Sequence, residues 1–414
     1  MGRGPLVAGL VLIGLVGYVV GSGRSKKDRP AEPGSLGAWL GFAPALLVVG
    51  LTLAQAASRP VYNVDAQRRW VLHGQWTAEY GSATPTEVQD TSWGTSHPSY
   101  PPVITGLTAL CLELGADRDW GLRPLFPVFL LALLASVFGY ARRRAGPLAA
   151  GAICLALALV PALSIADELG LGAAAAHADV ALAAYLTSLS VLLLERLSPT
   201  RETAEAPLFA LGLVTLGAVW TKNEGMAFAL AMLLATAGLL ALVRRGKPAR
   251  ECLVLFLVAL VGTALWKWVA RDMPVAEGED YVSGGILAAL MSGLGRLPEI
   301  AGRLGAELVD LRLWGPLWLL VPIWLLVRPW RAARDRVATL LPALWLLLGL
   351  GLVTAAYLAT GWKDGRFLAL MDVSVARLLL HHAPLVALLV VGLLERPEPT
   401  RGFDPGASSG ELSS

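Results

Sequence analysis

Charge is scarce in this chain. Only 16% of its residues are Asp, Glu, Lys or Arg, where a soluble globular domain carries about 25%. Hydrophobic residues make up 55%, and the mean hydropathy is +0.60. A soluble enzyme with one anchor is excluded, because apolar runs long enough to cross a bilayer recur from end to end. Cysteine is equally sparse. Cys111, Cys154 and Cys252 lie far apart in or near apolar segments, which excludes a CxxC pair and reads as small buried hydrophobes. No Cys/His spacing of a metal site is present. The apolar run 6–20 lacks a small-x-small cleavage site and a strongly basic leader, so it reads as a retained span. Neither an internal repeat nor a pair of matched halves is legible, which argues against the repeat plan of many transporters.

What is present is an all-α polytopic membrane protein with about eleven transmembrane helices. The spans read as 5–22, 36–56, 121–140, 146–165, 179–195, 207–221, 225–243, 252–270, 314–328, 337–360 and 378–394. Segment 101–116 is shorter and amphipathic, suited to an interface. Residues 1–35 read as an additional N-terminal helix with a basic loop, 36–395 as one membrane-embedded unit, and 396–414 as a disordered tail rich in Pro, Gly and Ser.

Basic residues set the expected orientation. They cluster at Arg24-Ser25-Lys26-Lys27, Arg142 to Arg144, Arg196 with Arg201, Arg244-Arg245-Lys247-Arg250, Arg328 to Arg336, and Arg396 with Arg401. Every second loop carries one, so the positive-inside rule places all of them in the cytoplasm. The opposite face then receives 57–120, 166–178, the turn at Lys222 to Glu224, 271–313 and 361–377. That face holds most of the acids, His97 and His177.

The long loop 59–102 is the segment best suited to chemistry, because a loop of this length in a tightly threaded membrane protein is usually functional. Asp65 follows the second span, where a carboxylate serves either as a general base or simply as a solvated acid. Glu87 and Asp90 lie in the same loop as possible assisting acids. His97-Pro98-Ser99-Tyr100-Pro101-Pro102 holds an imidazole and a phenol between rigid prolines, either as a site element or as a stiff turn back towards the membrane. Lys222-Asn223-Glu224-Gly225 breaks a nearly continuous apolar stretch from Leu208 to Leu242. It is the turn of a helical hairpin, and Lys222 there suits a phosphate with Glu224 to orient it. Asp179, at the head of a later span, fits a helix N-terminus or a further assisting acid. Arg377 and His381 stand four apart on one helical face, where a cation at the membrane boundary can grip a lipid phosphate or merely snorkel.

Taken in order, these elements resemble the GT-C superfamily of membrane glycosyltransferases, specifically bacterial members related to the dolichyl-phosphate-mannose protein mannosyltransferases. The matching residues are Asp65, Ser96 to Pro101, Ala178 to Val180, Thr221 to Gly225, and Arg377 to His381, so the resemblance spans about 57 to 390. Family members often carry an aromatic residue before the loop aspartate, and here it is Val64. The first span is an addition ahead of the family core.

The resemblance implies a GT-C-like catalytic unit with a polyprenyl-phosphate-linked sugar as donor, and an inverting transfer to a hydroxyl of a glycan, lipid or protein at the extracytoplasmic face of a bacterial inner membrane. Asp65 would be the base. Lys222 and Arg377 would hold the departing phosphate, with His97 or His381 donating hydrogen bonds, and Tyr100 and Glu224 would line the site. No cofactor, metal or nucleic acid is called for, although the acids present are compatible with a divalent ion. A transporter or lipid flippase is the alternative class, and a non-catalytic scaffold would leave the long loop without purpose. Single cysteines introduced between residues 60 and 100 should react with a membrane-impermeant maleimide from outside intact cells. Labelling only after the cells are opened would reverse the orientation.

Overall fold

In the computed structural model, residues 36–58, 60–61, 66–82, 84, 99–116, 121–164, 171–197, 206–274, 285–327, 336–361 and 364–395 are described. The spans at 5–22, and the units 1–35 and 396–414, therefore lie outside the described residues. Among those described there is no strand. Lipid offers no partner to a peptide group, so each spanning segment must satisfy its own backbone as a helix.

The order is α1 (Leu36–Ala57), a π-helical turn (Ala66–Val71) running into α2 (Leu72–Tyr80), α3 (Val103–Glu113), α4 (Leu125–Ala145) and α5 (Pro147–Ala158). Next come α6 (Ala178–Leu197), α7 (Leu208–Val219), α8 (Asn223–Leu242) and α9 (Gly246–Val269). The chain then forms α10 (Ile286–Gly293), α11 (Leu297–Leu308), α12 (Leu320–Val327), α13 (Arg336–Ala359), α14 (Asp364–Leu380) and α15 (Ala383–Leu394).

Among the described residues, six helical stretches are long and apolar enough to cross a membrane: Leu125–Ala145, Ala178–Leu197, Asn223–Leu242, Gly246–Val269, Thr339–Ala359 and Gly365–Leu394. They leave the expected count of about eleven, which includes 5–22, unconfirmed. Several apolar runs form helices of only 10–17 residues, including Pro147–Ala158, Leu208–Val219 and Leu317–Val327, too short alone for a hydrocarbon core that takes about 20 residues. Two expected loops also differ. Segment 361–377 is largely α14, whose buried residues Phe367, Met371 and Val375 recur every four positions, and 271–313 contains α10 and α11.

α6 is the central helix. Within its most apolar window 83% of residues are buried, against 28% for α9 at the periphery. Its two ends differ in chemistry. Arg196 at the C-terminal end makes a two-pronged pair with Glu251 at 2.6 and 2.7 Å, and neighbouring Glu195 meets Arg143 of α4. Arg144 reaches Glu395 at 2.7 Å, so α4, α6, α9 and α15 share a basic end. Asp179 marks the other end, about 26 Å away at 1.5 Å per residue. Between the ends the cross-ties are few. Trp345 Nε1 donates to Thr236 Oγ1 at 2.9 Å, and Ser136 bonds Ser188 at 3.0 Å.

α1 lies close against α5 because glycine faces glycine. A Cβ on Gly151 would stand 2.1 Å from the Gly41 carbonyl oxygen, a backbone atom that cannot swing aside. Small residues at such crossings let backbones approach where lipid-facing surfaces gain nothing from the hydrophobic effect. Gly151→Ala should therefore destabilise the protein by about 1–3 kcal/mol, read as a lower unfolding midpoint in detergent. Gly106→Ala, which meets nothing within 4 Å, is the matched control and should leave the midpoint unchanged.

Candidate functional site

At the end of the bundle opposite the basic pairs, one carboxylate collects four partners. Asp179, in the first turn of α6, is 1% exposed. Its Oδ1 accepts from Lys222 Nζ at 2.6 Å and contacts His381 Nε2 at 2.7 Å. Its Oδ2 accepts from Arg377 Nε at 3.1 Å and meets His177 Nδ1. Lys222 is shared, since Glu224 Oε1 stands 3.3 Å from the same ammonium. A helix N-terminus favours a carboxylate, but the side chain here is spent on these cations and imidazoles.

The local sequence explains the convergence. Lys222 takes an extended conformation as the residue capping α8, which turns its side chain back towards α6. Gly225 permits the tight hairpin, because a Cβ there would fall 2.1 Å from the Ala218 carbonyl oxygen. His177 follows Ala176, a non-glycine residue held in the left-handed region at φ 62°. Ser374 and Arg377 on α14, and His381 directly after its last residue, follow one another at i, i+3 and i+7. Ser374 Oγ bonds Tyr357 Oη at 2.8 Å, which extends the polar strip beyond Arg377.

The electrostatics are those of an anion enclosed by cations. Burial by itself would lower the Lys222 pKa, yet Asp179 and Glu224 outweigh it and hold it above the ordinary lysine value. Burial and the Arg377 charge push the His177 pKa down despite Asp179. The two fixed cations differ in access. The Lys222 side chain is 2% exposed and that of Arg377 22%.

The end of the first loop docks on this cluster. Tyr100 is buried, and its ring lies 5.8 Å from Lys222 Nζ, within cation–π range. Trp266 Nε1 donates to the Ser99 carbonyl at 2.9 Å, and Val103 N–H donates to the Trp220 carbonyl at 2.9 Å. Two buried arginines brace the surroundings. Arg123 donates through Nη1 to Pro60 O at 2.9 Å and through Nε to Ala174 O at 3.0 Å. Arg69 donates to the Tyr100 carbonyl at 2.6 Å.

Of the residues selected from the sequence, Asp179, Lys222, Glu224, Arg377 and His381 form one connected group, and Tyr100 lies against it. Asp65, Glu87, Asp90 and His97 fall outside the described residues. His177, Arg69 and Arg123 were not selected. Among the described residues no group of three or more His, Cys, Asp or Glu is arranged to hold a metal ion.

Compared with solved structures, this arrangement of helices is similar to the crystal structure of ArnT from Cupriavidus metallidurans bound to undecaprenyl phosphate, with a TM-score of 0.56 and 19% sequence identity. The chain has an ArnT-like fold. The match covers 86% of this chain and 59% of ArnT, so the chain spans less than two thirds of that protein's length. No family model and no curated protein matches the chain.

Within this ArnT-like bundle the cluster can be tested as an energetic unit. Removing one member of a buried ion pair strands the other, at a cost of about 3–5 kcal/mol. Asp179→Asn and Lys222→Met should each lower stability by that order. The double variant should lose much less than the sum, as measured by a double-mutant cycle in thermal or denaturant unfolding.

Proposed function

We propose that this protein transfers a sugar from a polyprenyl-phosphate-linked donor to an acceptor hydroxyl at the extracytoplasmic membrane face. The observation that carries the reading is the cluster of Arg377, Lys222, His177 and His381 around Asp179, set at the end of an ArnT-like fold away from the basic pairs. ArnT itself is seen bound to undecaprenyl phosphate, which supports a lipid phosphate as the donor's carrier.

In this mechanism Asp65 takes the proton from the acceptor hydroxyl, and the oxygen attacks the anomeric carbon. The bond between that carbon and the phosphate oxygen breaks, and the lipid phosphate leaves as a stable anion. It needs positive charge, not a proton. Arg377, the more accessible cation, makes the first contact. Lys222, enclosed between Asp179 and Glu224, adds its field from behind and keeps Asp179 in place. Asp179 orients the Arg377 guanidinium and the His381 ring, and inversion at the anomeric carbon follows from a single displacement. The acceptor is a glycan, a lipid or a protein, and the sugar is a hexose or pentose.

The test is product analysis by mass spectrometry after incubating purified protein with undecaprenyl-phosphate sugars. Asp65→Asn should reduce transfer by at least about 10³-fold while donor binding is retained, and Arg377→Gln should raise the donor KM by about tenfold or more. Full activity in Asp65→Asn would remove Asp65 as base. Absence of product from any prenyl-phosphate sugar would overturn the reading.

A further inference from the structure

Arg69 is 2% exposed, and burying a guanidinium is costly unless its donors are used. Its two terminal nitrogens serve two segments. Nη1 donates to His73 Nδ1 at 2.5 Å within its own helical segment, and Nη2 donates to the Tyr100 carbonyl at 2.6 Å, 31 residues along the chain. The guanidinium carbon also stands 5.6 Å from the rings of both Trp70 and Tyr100. His73 is suited to accept, because burial, and then the Arg69 charge, pull its pKa down to about 2 and keep the ring neutral.

The Tyr100 ring is consequently shared by two cations. Arg69 approaches it at 5.6 Å and Lys222 at 5.8 Å, and Lys222 is bonded to Asp179. A continuous path of contacts therefore runs from the helical segment that begins at Ala66, immediately after Asp65, through Arg69 and Tyr100 to Lys222. The two ends of the first loop are held at a set separation by one rigid fork, a geometry that a single flexible ammonium does not reproduce.

Resting on the transferase reading above, we propose that Arg69 is a positioning residue that ties the Ala66–Val71 turn to Tyr100 and so holds the Tyr100–Lys222 contact in place against the departing phosphate. It touches no reacting atom. Its effect lies on turnover, because misplacing a reacting group by about 1 Å costs on the order of 100-fold in rate.

The experiment compares Arg69→Gln and Arg69→Lys with the wild type by steady-state kinetics and by hydrogen exchange. Arg69→Gln should lower kcat by about 100-fold and leave the donor KM within about threefold. Exchange at the Val103 amide, which bonds the Trp220 carbonyl, should accelerate by at least about tenfold, with α6 unchanged. Arg69→Lys should recover less than half of the lost rate logarithm, since one ammonium cannot hold both acceptors. Unchanged kcat, or accelerated exchange throughout α6 with a collapsed unfolding midpoint, would overturn the proposal, the second by showing a role in global stability only. A wild-type protein that transfers no sugar would overturn the transferase reading instead, and unchanged Val103 exchange in Arg69→Gln would still refute the bracing.

Discussion

One buried carboxylate governs the organisation of this bundle. Asp179 is out of water, and an isolated charge there would cost several kcal/mol. It is supported only because Lys222, Arg377, His177 and His381 converge on its two oxygens. These partners come from the loop before α6, the cap of α8 and the length of α14. Any shift of those elements would strand a charge.

The same constraint shapes what the site can do. Lys222 is enclosed between two carboxylates, and Arg377 stands nearer to solvent on the other oxygen of Asp179. Positive charge is thus graded from a sealed interior to an accessible rim. In the transfer proposed above, a lipid phosphate would meet a guanidinium already oriented by Asp179, a preorganisation suited to charge developing on a leaving group. The docking of Ser99, Tyr100 and Val103 on Trp266, Lys222 and Trp220 brings the first loop to that rim.

Much of the cluster was legible beforehand. Charged residues inside apolar stretches are expensive, and that argument picks out Lys222, Glu224, Arg377 and His381. Asp179 was read as an assisting acid or a helix-terminal group, and it stands at the centre. Arg69 and Arg123 escaped notice because much of their bonding is to backbone carbonyls, Tyr100, Ala174 and Pro60, and a carbonyl leaves no trace in side-chain spacing. The count of about eleven spans is not confirmed for a different reason. Hydropathy registers an apolar run but not where its helix ends, as with the 12-residue helix α5 inside 146–165. The loop expected at 361–377 is helical because Phe367, Met371 and Val375 recur every four residues on one buried face.

Composition and the order of residues by themselves determined that the chain is helical and membrane-embedded, that its basic residues gather at alternate turns, and which ionisable groups carry unusual cost. Those properties depend on transfer from water to lipid, which is read one segment at a time. Only the tertiary structure decided which of those groups meet. Asp179 pairs with residues 43, 198 and 202 positions away. A charge pair across such distances imposes no periodicity on the intervening chain, so its partners become known only once the helices have packed.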